Sequence, residues 1–271
     1  MDAVAPEYVA ARRVLLDALE ALKDHLPSLI LVGAQAVYHH TGETDLNVPL
    51  MTTDADLAID TQGMADVPEI GAVLRGAGFV PGPSPGHWVA ATDVAVDLMV
   101  VPHQAGTHRE SARAARLAPH DRLTARIARG LEPALVDHER VTIGALEPVD
   151  DRTFDLAIAG AAALLVAKVI KISERLGQSD RQPDRLKEKD ALDAFRLLQA
   201  VETADLVLGL TKHRSEPNAA AVADEAVQIL RLHATSPRGR IALLAASAAG
   251  GDATVAPAFA ALCNDLLAAL R

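Results

Sequence analysis

Three aspartates lie in stretches of sequence where carboxylates are costly. Asp54 and Asp56 are one residue apart in the largely apolar run TTDADLAID, and Asp97 sits inside VAVDLMVV. Alternate side chains of a strand share a face, so Asp54 and Asp56 point the same way. Two bare carboxylates side by side raise each other's pKa, and a divalent cation between them removes that repulsion. Such hard oxygen ligands suit magnesium, which takes one or two carboxylates and completes its shell with substrate phosphates. A buried, unpaired carboxylate is expensive, so Asp97 needs a partner as well. It either pairs with an arginine or joins Asp54 and Asp56 at a shared metal site, and the three together favour the shared site. Three carboxylates on neighbouring strands can hold two magnesium ions for in-line phosphoryl displacement, with Asp97 on the side of the attacking hydroxyl.

The elements that must position them are readable in outline. An apolar strand over 28–32 runs into the turn Gly33-Ala34, which opens a helix to about His40. A helix N-terminus presents free N–H groups to an anion. Gly33, Ala34 and Gln35, with Thr53 beside the aspartate pair, are therefore the candidate nucleotide-binding residues. An amphipathic helix precedes them over 6–25. Strands follow over 54–60, 87–91 and 94–101, the last two joined by a tight turn at Thr92-Asp93, with a helix over 67–77 between the first two. Residues 103–130 are Arg-rich and read as part helix. Strands over 141–146 and 153–158 complete the first half, and the pattern from Ala161 onward is helical. Strands before helices give α+β (α/β-like), a small mixed-sheet domain over 1–158 followed by a helical bundle over 159–271.

Composition narrows the class. Half of the 271 residues are hydrophobic but only 3% are aromatic, so the core is aliphatic. The net charge of −10 argues against a surface that coats nucleic acid. A single cysteine, Cys263, makes neither an internal disulfide nor a zinc cluster, which points to a reducing cytoplasm. The start of the chain lacks an apolar signal core, and no apolar stretch is long enough for a bilayer, so a soluble cytoplasmic protein without a membrane role is expected. Walker and dinucleotide-binding glycine patterns are absent.

The order of a Gly-Ala turn, Asp54-x-Asp56 and a later single Asp97 resembles the nucleotidyltransferase superfamily, the polymerase-β-like fold. The chain departs from that pattern at Ala34, where the family often carries a serine that touches the terminal phosphates. AALLVAKVIKISER and RLKEKDALDAFRLL are similar to the paired motifs of AbiEii and MenT type toxin nucleotidyltransferases. The resemblance implies magnesium-dependent transfer of a nucleoside monophosphate from an NTP to a hydroxyl, with release of pyrophosphate. It further implies tRNA as acceptor and a cognate antitoxin as protein partner. It carries Lys168 over as a triphosphate ligand, and Asp190 and Asp193 as the acidic pair of the following helix. On helical spacing Lys168 falls beside the apolar stripe of Leu165, Val169, Ile172 and Leu176. Asp190 can orient Lys168, whereas Asp193 reads as a surface partner of Lys187 or Arg196.

The acceptor is the open question. Residues 103–130 hold six arginines against Glu110 and Asp121. Such a segment can steer a polyanion locally, or simply pair with acids elsewhere. Transfer to a small molecule of the antibiotic type, transfer to a protein hydroxyl, and a non-catalytic NTP-binding relative are the alternatives. Retention of all three aspartates speaks against the last of these.

Overall fold

The computed structural model describes residues 4–42, 51–109, 111–178 and 188–270. The chain divides into two compact units, one of residues 1–36, 49–128 and 138–159, the other of 37–48, 129–137 and 160–271. The expected division after residue 158 lies at the junction of the last strand and the first long helix, while 37–48 and 129–137 belong with the helices.

The first unit is built on one mixed sheet. Its strands are β1 (Leu29–Val32), β2 (Asp54–Ile59), β3 (Val80–Pro81), β4 (His87–Val89), β5 (Ala95–Val100), β6 (Arg126–Ile127), β7 (His138–Gly144) and β8 (Thr153–Ala159). They run in the order β3-β4-β5-β2-β1-β8-β7, with β6 also paired to β5. The central β1 is buried along its whole length, as expected of a continuous apolar run covered on both faces. It pairs antiparallel with β2 and parallel with β8. Helix α1 (Pro6–Ala21) packs across β2, β5 and β8, burying Leu15, Leu16 and Leu19. Proline in the first turn suits its start, because that N–H has no helical partner anyway. Helix α2 (Gly33–Thr41) leaves β1 directly. Helix α3 (Ile70–Gly76) starts three residues later than its expected position. Glu69 provides the cap, its carboxylate accepting from the N–H groups of Gly71 and Ala72.

The Arg-rich segment is not helical. A 3-10 turn covers Pro102–Gln104, and thereafter the chain pairs with itself. Ala114 bridges Arg126, with Ala115 N–H donating to Ala125 O at 3.0 Å and Ile127 N–H to Arg113 O at 2.8 Å. Pro102 and Pro119 withhold N–H groups, and Gly106 adopts a φ of +64°, so a helix across the segment is blocked at several points.

The second unit is helical: α4 (Ala161–Gln178), α5 (Lys189–Ala200), α6 (Thr203–His213), α7 (Pro217–His233), α8 (Arg240–Ala248) and α9 (Val255–Ala269). Helix α4 packs on α5, α6 and α7, and α5 on α8 and α9. In this Ala-rich core Phe195 stacks on Phe259, ring centroids 5.9 Å apart. No helix among the described residues is long and apolar enough to cross a membrane.

Trp88 anchors β4. It is fully buried, donates its indole N–H to Thr124 O at 3.2 Å, and lies under the Arg75 guanidinium. Trp88→Ala is expected to lower the unfolding free energy by about 3–5 kcal/mol, measured by urea denaturation.

Candidate active site

The three aspartates share one face of the sheet. Strands β2 and β5 run parallel, with Asp56 directly opposite Asp97 and Asp54 opposite Ala95. Asp54 and Asp56 alternate with the buried Ala55 and Leu57, and Asp97 lies between the buried Val96 and Leu98. In-register neighbours on adjacent strands point to the same side, about 4.8 Å apart, so Asp97 joins the face defined by Asp54 and Asp56. All three are half-buried.

The turn at Gly33 closes on the same place. Val32 pairs with Asp56 across β1 and β2, and α2 begins at the next residue. Gly33 has a φ of +70°, and a Cβ on it would overlap the Asp56 carboxylate. Glycine is thus required twice, by the left-handed backbone and by the close approach. Asp56 stands at the N-terminal end of α2.

Asp97 is clamped. Its Oδ1 accepts from His87 Nδ1 at 2.6 Å, and its Oδ2 from an Arg126 guanidinium N–H at 3.1 Å. Arg126 reaches it because β6 continues alongside β5, pairing with Met99, which shares the parity of Asp97. His87 reaches it because it lies directly across the β4–β5 hairpin. A two-residue turn at Thr92-Asp93 would have set Trp88 opposite Asp97. Asp93 instead takes a φ of +62° and its N–H closes a turn onto Ala90 O at 3.0 Å. That shifts the pairing by one residue, and a one-residue shift exchanges the faces of a strand. Trp88 goes into the core and His87 onto the site.

The other nucleotide-binding candidates separate. Gln35 is buried, its carbonyl accepting from Arg12 Nε at 2.8 Å and its amide donating to Asp54 O at 3.3 Å. It braces β2 and is not a phosphate ligand in this arrangement. Ala34 is buried behind the turn. Thr53 is exposed, and its neighbour Thr52 is the residue that touches the site, donating from Oγ1 to Asp54 Oδ1 at 2.8 Å.

As a magnesium site the face is incomplete in one respect. Among the described residues no group of three or more His, Cys, Asp or Glu side chains is placed to hold a metal. The expected three-carboxylate ligand set is therefore not assembled among the described residues, and Asp97 pairs instead with His87 and Arg126. Asp54 and Asp56 remain a suitable donor pair, since magnesium takes its other ligands from phosphates and water.

Lys168 is not the open phosphate ligand that the resemblance implies. In the helical unit its ammonium is buried, 3.0 Å from Asp190 Oδ1 and 2.7 Å from Asp193 Oδ2. Asp193, expected at the surface, is fully buried and also 3.5 Å from Arg196. Lys187 lies outside the described residues. Asp190 is shared further with Arg175 and, at 3.3 Å, with the half-exposed Lys171. Burial alone would lower the Lys168 pKa, but Asp193 and Asp190 outweigh it and raise it. Burial likewise works to raise that of Asp190, and Lys168, Lys171 and Arg175 override it, holding the carboxyl below the usual range. The expectation that Asp190 orients Lys168 agrees with this geometry.

Set beside protein-family models, curated proteins and solved structures, the chain matches none of them.

Gly33→Ala is expected to displace Asp56 and strain the turn, with a loss of stability of at least about 1 kcal/mol, measured by thermal unfolding. Lys168→Ala is expected to cost about 3–5 kcal/mol at pH 7, because it leaves two buried carboxylates short of a partner. The native cluster contributes fully above the unfolded Asp pKa of about 3.9 and below the unfolded Lys pKa of about 10.4. As pH falls below about 4, towards the depressed native pKa of Asp190, the native protein loses this contribution, whereas the carboxylates of the variant are relieved by protonation already above that pH. The stability gap between the two should therefore narrow on acidification, as read by urea unfolding at each pH.

Proposed function

We propose that the face carrying Asp54, Asp56 and Asp97 is the active site of a magnesium-dependent nucleotidyltransferase. The observation that carries this reading is the in-register placement of the three aspartates beside the close-packed Gly33 turn. The acceptor's hydroxyl oxygen attacks the α-phosphorus of an NTP, the bond to the bridging oxygen breaks, and pyrophosphate leaves. Asp54 and Asp56 would hold the magnesium, which when bound neutralises charge on the triphosphate and orients it. Thr52 fixes Asp54 through its hydroxyl, and Gly33 allows Asp56 to stand against the start of α2. Asp97 receives the proton of the acceptor hydroxyl as Arg126 gives up its hydrogen bond to it. The sequence resemblance supports tRNA as the acceptor, and a cognate antitoxin as a partner.

A second reading rests on a specific observation. Asp97 is neutralised by Arg126, and position 34 carries Ala where the similar family often has Ser. Both features suit a relative that binds NTP without transferring it.

The test is incubation with each of four α-labelled NTPs, magnesium and total tRNA. Label is expected in RNA from one preferred NTP. Asp56→Asn should lower the rate by more than about a hundredfold, since a metal ligand stabilises the transition state by several kcal/mol. Label in protein or in a small acceptor would relocate the chemistry. NTP binding without transfer to any acceptor would establish the second reading.

A further inference from the structure

The segment between β5 and β6 forms a cleft of about 260 Å³ whose lining includes Arg109, Arg113, Arg116 and Arg122 together with Thr107 and Ser111. All four arginines are exposed, and among the described residues none of their guanidinium groups meets a carboxylate or another acceptor. The rest of the sheet unit treats arginine differently. Arg13, Arg75, Arg126 and Arg152 each hold a carboxylate, Arg12 is bonded to Gln35, and Arg140 donates to Asp155 O. Among the described residues, four of the unit's arginines thus lack a partner, and those four line one cleft. This occurs in a chain of net charge −10, where acids are in excess.

Like charges gathered in one place repel, and an anion of several charges removes that cost. Guanidinium groups suit phosphate oxygens in particular, because their paired N–H groups match them in bidentate fashion. Ser111 adds a hydroxyl donor. Thr107 accepts from Arg109 N–H at 3.4 Å and keeps its own hydroxyl proton to donate. The cleft is held in place by the sheet, since the pairing of Ala114 with Arg126 joins it to β6. A cleft of about 260 Å³ has room for a phosphate chain. The four arginines line one cleft.

We propose that this cleft is an anion site for a compact polyphosphate group, the di- or triphosphate end of a small ligand. It is separate in composition from the aspartate face, needs no metal, and does not rest on the transfer reading.

The test is calorimetric titration of the full chain with inorganic pyrophosphate and tripolyphosphate in the presence of EDTA. Saturable binding at one site is expected. The double variant Arg113→Gln/Arg116→Gln should weaken it by at least about a hundredfold, since each charge-assisted contact contributes roughly tenfold or more. Both positions are exposed, so the thermal unfolding of the variant should match that of the native protein. Asp54→Asn/Asp56→Asn should leave the affinity within about twofold. The proposal is overturned if neither probe binds at millimolar concentration, or if the double arginine variant binds as tightly as the native chain. It is equally overturned if the aspartate variant alone abolishes binding. Arg113- and Arg116-dependent binding of single-stranded RNA that pyrophosphate fails to displace would also overturn it, by assigning the cleft to nucleic acid. The loss of label transfer in the assay above would leave this outcome unaffected.

Discussion

The candidate site depends on the close approach of Asp56 to residue 33. Only a residue without a Cβ lets the carboxylate stand at the start of α2, and only a residue that accepts a positive φ lets β1 turn straight into that helix. This single contact fixes the position of β2 relative to the turn. The parallel pairing of β2 with β5 then sets Asp97 opposite Asp56. Antiparallel pairing of β4 and side-by-side extension by β6 bring His87 and Arg126 to Asp97. The polar face is therefore a consequence of strand register, with the core-facing positions of the same strands holding the sheet together.

The chain stabilises costly carboxylates in two ways. In the sheet unit, Asp54 and Asp97 are half-buried and engage hydroxyl, imidazole and guanidinium groups near solvent. In the helical unit, Asp190 and Asp193 are buried with Lys168. Buried ion pairs of that kind seldom add net stability, but removal of one member is severe. The resemblance to the toxin family points to Lys168, a residue whose charge is already satisfied by two aspartates of the adjoining helix α5. The two acids three residues apart on α5 face the same lysine because i and i+3 lie on one side of a helix.

Much of this was legible in the sequence. The strand–turn–helix at Gly33, the shared face of Asp54 and Asp56, the hairpin after Trp88 and the helical second half follow from periodicity and turn chemistry. The partners of Asp97 were harder to read. Arginine is the sequence alternative to a metal for Asp97, but Arg126 lies in a segment whose composition suggests part helix, and its pairing with β5 leaves no sequence signal. His87 was hidden by one residue of register, set by the backbone of Asp93. Thr52 and Thr53 are chemically alike, and it is the buried Thr52 that reaches Asp54. The burial of Asp193 carries no periodic signal, because α5 packs on α4, α8 and α9 and few of its positions remain at the surface.

The most direct test of the account is nucleotide-dependent retention of a divalent cation at the aspartate pair. Manganese serves as a spectroscopic stand-in for magnesium, and its free concentration can be read by electron paramagnetic resonance in the presence of a non-hydrolysable NTP analogue. The account predicts that the native protein with the analogue retains manganese, and that Asp54→Asn and Asp56→Asn each abolish the retention while the protein stays folded. Manganese uptake that is the same in the native protein and in both variants would contradict it.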